Sequence, residues 1–91
     1  MPSSYRGWGY ILSFRRGGGR VYEDQALVRF PGVDDSRKAH SLLNKMVVWD
    51  NGSTRIRGVI KRVHGRKGIV VVKFRRALPG QAVGTRVFLI G

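Results

Sequence analysis

The side chains able to do chemistry are unevenly supplied in this sequence. His40 and His64 are its imidazoles, Glu23, Asp24, Asp34, Asp35 and Asp50 its carboxylates, and cysteine is absent. Asp34 and Asp35 precede Ser36 and read as acceptors for the free amides of a helix start. Asp50 opens an Asp-Asn-Gly-Ser turn. Neither histidine has a cysteine or a clustered acid at metal-ligand spacing. No nucleophile, base and orienting group come together. Gly17-Gly18-Gly19-Arg20 lacks the Lys-Ser or Lys-Thr of a phosphate-binding loop. An enzyme, a metal site and a resident cofactor are not expected, nor is a small-molecule substrate. The plentiful chemistry is cationic: 18 Lys and Arg against five acids give a net charge of +13, with Arg outnumbering Lys 13 to 5. Such an excess repels itself and calls for a polyanion, and guanidinium forks suit phosphate and base edges.

The cations concentrate toward the C-terminal half. Residues 47–91 hold ten of them with Asp50 as their one acid, whereas residues 1–46 hold eight with four acids. Within the run RVHGRKGIVVVKFRRALPG, four apolar residues, Ile69–Val72, sit between basic clusters. In a strand, Val70, Val72 and Phe74 share a face, which we assign to the core, and Val71, Lys73 and Arg75 share the other. In the preceding strand, Ile56, Gly58 and Ile60 oppose Arg55, Arg57, Val59 and Lys61. Paired side by side, the two strands would show Arg55, Arg57, Lys61, Lys73 and Arg75 on one outer face without an acid. His64-Gly65-Arg66-Lys67-Gly68 forms the turn between them, with cations at its tip and glycines that let a partner approach closely. Trp8, Tyr10, Phe14, Trp49, Phe74 and Phe88 lie in alternating strand patterns, and most are expected in the core. Tyr5 and Tyr22 lie outside those patterns and are the better platforms for stacking on bases.

These groups must be positioned by short elements. High glycine content and short runs rich in Val and Ile indicate strands joined by tight turns. The first strand spans about residues 7–15, with Trp8, Tyr10, Leu12 and Phe14 on one face and Gly7, Gly9, Ile11 and Ser13 on the other. The triple glycine 17–19 breaks it. The second strand is about 25–30, ended by Pro31-Gly32. A helix over about 36–43 follows, with Ala39, Leu42 and Leu43 at helical spacing and Asn44 as a left-handed stop. Further strands are expected over 45–49, about 54–63, 68–75 and 85–90, with a loop over 77–84. Six short strands and one helix in 91 residues suggest a small closed all-β barrel, with an open sheet packed on the helix as the alternative. The length suggests one domain over residues 1–91. The apolar runs are far shorter than the ~20 residues of a membrane span, and no apolar signal core follows residues 1–6, so a soluble cytoplasmic protein with no membrane partner is expected.

The ordered string Arg57-Gly58-Val59-Ile60-Lys61-Arg62-Val63-His64-Gly65, then Gly68, Val72-Lys73-Phe74-Arg75 and Leu78-Pro79-Gly80-Gln81-Ala82-Val83-Gly84 resembles the large-subunit ribosomal protein family 35Ae of archaea and eukaryotes. Phe14-Arg15-Arg16-Gly17 is similar to that family's aromatic-basic-Arg-Gly strand end, Ala26-Leu27-Val28 with Gly32-Val33 to its second strand and turn, and Leu43-Asn44-Lys45 to its Leu-Gly-Lys. Asn44 departs from the usual glycine, and the turn at Asp50–Ser53 lacks the basic insertion of eukaryotic relatives. The resemblance implies a six-stranded antiparallel barrel similar to the second domain of translation factors. It also implies a structural constituent of the large ribosomal subunit, working in the cytoplasmic ribosome. Partners would be large-subunit ribosomal RNA and neighbouring ribosomal proteins, with tRNA as a further candidate. The expected RNA contacts are Arg15, Arg16, Arg55, Arg57, Lys61, Arg62, His64, Arg66, Lys67, Lys73, Arg75 and Arg76. The residues alone point only to a basic barrel for a polyanion. A tRNA-binding translation-factor module and a chromatin-type DNA binder are the rival functions.

Overall fold

Alternating short-range hydrophobicity in this chain resolves into six strands that leave no edge unpaired. A computed structural model describes residues 5–65 and 67–90, the side chains of residues 5 and 6 excepted. The strands are β1 (Tyr5–Gly17), β2 (Arg20–Arg29), β3 (Met46–Asp50), β4 (Arg55–His64), β5 (Ile69–Phe74) and β6 (Arg86–Ile90). They pair antiparallel in the closed order β1-β2-β5-β4-β3-β6, with β6 returning to β1. Closure, rather than an open sheet packed on a helix, satisfies every strand edge without a cover.

The inner face carries Val28, Val47, Trp49, Ile56, Ile60, Val70, Val72, Phe74 and Val87, all buried. Each such side chain removed from water stabilises the fold by about 1.5–3 kcal/mol. Trp49 can afford its polar ring nitrogen because Nε1–H donates to Thr85 Oγ1 at 2.8 Å. The helix α1 (Ser36–His40) is shorter than its apolar spacing suggests and gives way to turns over residues 41–44. Asp35 caps it, accepting from the Lys38 amide at 2.8 Å. Asp34 pairs with Lys38 at 3.2 Å, and that hydrogen bond and charge hold its carboxyl below the usual range. Asn44 takes the left-handed stop, with φ of 67°. Ala39 is buried, and Leu42 and Leu43 pack against the core.

Several readings of the sequence need correction. Residues 17–19 do not end in a loop: Gly18-Gly19 is the tight turn of a long hairpin, so β2 begins at Arg20 and includes Tyr22. The aromatic side of β1 is the outer one. Ile11 faces the core, while Trp8 and Leu12 are exposed and Tyr10 is opposite exposed Arg29. The reason is spatial: a Cβ on Gly9 would lie 2.7 Å from the Arg29 carbonyl oxygen and 2.8 Å from the Phe30 ring, so this strip of β1 is where Phe30 packs. Phe88, opposite Trp8 on β6, is likewise on the outer side and only half-buried.

Two β-bulges account for the remaining differences. Ile11 is opposite Val28 and Ser13 is opposite Leu27, so Leu12 is an extra residue. The period of two therefore slips, sending Ser13 outward and Phe14 inward against the core. In β4, Ile60 is opposite Val72 and Arg62 is opposite Val71, so Lys61 is extra. Without that slip, alternation from Ile60 would drive Arg62 into the core. With it, Lys61 and Arg62 are both exposed and Val63 packs inward. Val71 is on the outer side as expected, yet it is buried, flanked in register by Leu27 and Arg62.

Candidate nucleic-acid interface

Strands β4 and β5 are adjacent, and they bring the outer-face cations together. Arg57 is opposite Val48 on β3, and its carbonyl accepts from the Arg75 amide at 2.8 Å. One step along, Val59 is opposite Lys73, which is opposite Gln25 on β2. The exposed side chains of Arg57, Lys61, Lys73 and Arg75 with half-buried Val59 and buried Phe74 border a cleft of about 210 Å³. Arg55, Arg57, Arg75 and Arg76 border a second of about 340 Å³. These residues are thus gathered as the strand alternation predicts.

The face is not free of acid, however. Neighbouring strands deliver Asp24 and Asp50 to its rim. Lys73 Nζ lies 3.8 Å from Asp24 Oδ2, and Arg55 Nε donates to Asp50 Oδ2 at 3.1 Å. Asp50 also accepts from the Gly52 amide at 2.9 Å, the turn role its sequence position suggests. Among the described residues, Arg57, Lys61, Lys67, Arg75 and Arg76 carry no ion pair. They form the unneutralised part of the surface. Both pairs are solvent-exposed on the cation side, so each contributes little to stability. Replacing Asp24 with Asn should therefore leave the melting temperature nearly unchanged while freeing Lys73. Affinity for a polyanion should rise about two- to threefold, measured by titration at low salt. Weakened binding would show that Asp24 orients Lys73 rather than masking it.

The β4–β5 turn contributes differently from expectation. Lys67 is exposed at its tip, and Arg66 lies outside the described residues. Gly68 serves the fold: its φ is +85°, and a Cβ there would run into the Val33 carbonyl. Gly68 is thereby packed against the segment leading into α1. A side chain at Gly68 would have to displace backbone.

Arg15, Arg16, Arg62 and His64 come together elsewhere, around a cleft of about 460 Å³. Arg15 is held there by donating to Gln25 Oε1 at 2.8 Å. Tyr22 is not an open stacking platform: the guanidinium carbons of Arg15 and Arg20 each lie 5.6 Å from its ring centroid. The side chain of Tyr5 lies outside those described. Sequence reasoning missed Arg86, which stacks 4.3 Å from the centroid of exposed Trp8. The signal was available in the pairing of a central Trp with a terminal-strand Arg, but only once Trp8 is placed outside. Among the described residues, no His, Cys, Asp and Glu cluster could hold a metal, and no helix is long and apolar enough to cross a membrane.

Comparison with known proteins gives this surface a context. The ribosomal protein L35Ae family profile matches residues 7–90. Large ribosomal subunit protein eL33 of Methanopyrus kandleri is 40% identical over 83 residues, covering 89% of this chain and 92% of that relative. The protein of the same name from Aeropyrum pernix is 41% identical over 81 residues, covering 87% and 85%.

Proposed function

Because the chain belongs to the ribosomal protein L35Ae family, we propose that it is a structural constituent of the large ribosomal subunit that binds ribosomal RNA through its basic outer face. It folds as a single domain and works in the cytoplasmic ribosome beside other ribosomal proteins. The observation that carries the reading is the set Arg57 and Lys61 on β4 and Arg75 just past the end of β5, exposed and without ion pairs. Cations held this way neutralise phosphates that folded RNA must bring together, which requires no turnover and no cofactor. Arg55 and Lys73, already paired with acids, would exchange those partners for phosphates or hold the face in shape. Arg76, Lys67 and Arg66 extend the same surface, and Arg15, Arg16, Arg62 and His64 add a second contact.

The RNA reading is tested by salt. Neutralising Z phosphates gives a log–log slope of about −0.7Z to −0.9Z. With three to six free cations engaged, the affinity for a large-subunit RNA fragment should fall with a slope of about −2 to −5. Filter binding between low and moderate salt measures it. A flat affinity would remove the electrostatic basis of the proposal.

A further inference from the structure

The cleft of about 460 Å³ is larger than the two clefts on the β4–β5 face. It lies within the roughly 300–1,000 Å³ range of pockets that enclose small ligands. Ser13, Leu27, Val71 and Arg62 stand in one lateral row across β1, β2, β5 and β4. The two bulges, at Leu12 and Lys61, border that row. Bulges re-aim side chains beside sites, and here they turn Arg62 outward beside Ser13, Arg16 and His64. Arg16, Arg62 and His64 carry no ion pair among the described residues. The apolar part of the wall is Phe14, Leu27 and Val63, each half-buried.

A phosphate backbone alone would leave a cleft of this size, with its apolar wall, unfilled. A single nucleotide matches both parts, since it joins an apolar ring face to an anionic phosphate. We infer that the cleft takes one unstacked nucleotide of the bound RNA, its base against Phe14, Leu27 and Val63 and its phosphate against Arg16, Arg62 and His64. The inference rests on the RNA-binding reading and specifies its geometry: the β4–β5 face meets paired backbone, and the cleft meets a base splayed out of the helix. Unpaired nucleotides are the feature that proteins can most readily select in folded RNA.

The test compares a fully paired RNA hairpin with the same hairpin carrying one bulged uridine, both titrated by fluorescence anisotropy against the full chain. One stacked base is worth about tenfold in affinity, so the bulged RNA should bind about tenfold tighter. Ser13→Phe, which fills the cleft without altering charge, should bring the ratio of the two affinities to within about twofold of one. Independently of any variant, a 4-thiouridine at the bulge should crosslink to residues 13–16 or 62–65, read by mass spectrometry. Equal affinities of the wild-type chain for both RNAs would overturn the inference while leaving the RNA reading intact. So would a preference that survives in a folded Ser13→Phe variant, or crosslinks confined to residues 55–61 and 73–76. Failure to bind either RNA at low salt would instead remove the RNA reading itself.

Discussion

Val72→Asp leaves the chain unfolded at 25 °C, whereas Val71→Asp, one residue away, leaves a weakened but folded barrel. Val72 is fully buried and lies in register between Ala26 and Ile60, both also buried. An unpaired carboxylate there has no acceptor-seeking neighbour, and its burial costs several kcal/mol against a total stability of about 5–15 kcal/mol. Val71 is buried too, at 2% exposure, so simple alternation understates its cost. It is nevertheless on the outer side, opposite exposed Arg62, and an aspartate there can reach water and a guanidinium. A loss of about 1–3 kcal/mol is expected. Urea titrations followed by circular dichroism separate the two. Equal unfolding by both variants would mean that Arg62 does not flank this position.

Reversing two charges, Arg57→Glu with Arg75→Glu, should lower the affinity for large-subunit RNA by about 100-fold at low salt, with an unchanged melt. Both side chains are exposed, both lack an ion pair, and the backbone hydrogen bond between their residues holds them side by side. The double change removes two phosphate contacts and adds two repulsions. Exposed substitutions of this kind usually alter stability by no more than about 0.5 kcal/mol, so the loss will be one of binding. The same pair changed to Gln should lose less and should flatten the salt slope by about two. Wild-type affinity in the reversed variant would move the RNA site off this face.

The β4–β5 face was readable from sequence because alternation is local: Arg55, Arg57, Lys73 and Arg75 follow from a period of two and an obvious turn. The closed barrel followed from counting short strands, and the Asp35 cap and the Asn44 stop from residue chemistry at helix ends. What escaped was non-local. No local pattern announces that Leu12 and Lys61 are bulged, because the extra residue is defined by the opposite strand. Each bulge reverses the facing of the residues directly after it, which is how Phe14 and Arg62 exchange the sides that alternation gives them. Asp24 has no role legible in the sequence, and Asp50 only its turn role, because their cationic partners are contributed through cross-strand geometry or across a turn. Trp8 looked like a core residue by type. Its placement is decided instead by Phe30 filling the space beside Gly9.

Crosslinking in purified large subunits tests the central claim most directly. Subunits washed in moderately high salt would be irradiated, digested and searched for peptides of this chain joined to nucleotides. The account predicts that the chain stays with the subunit and that its crosslinks to ribosomal RNA include residues 55–62 and 73–76. A chain that washes off, or one that remains bound but crosslinks to RNA only through the Trp8 and Arg86 side of the barrel, would contradict it.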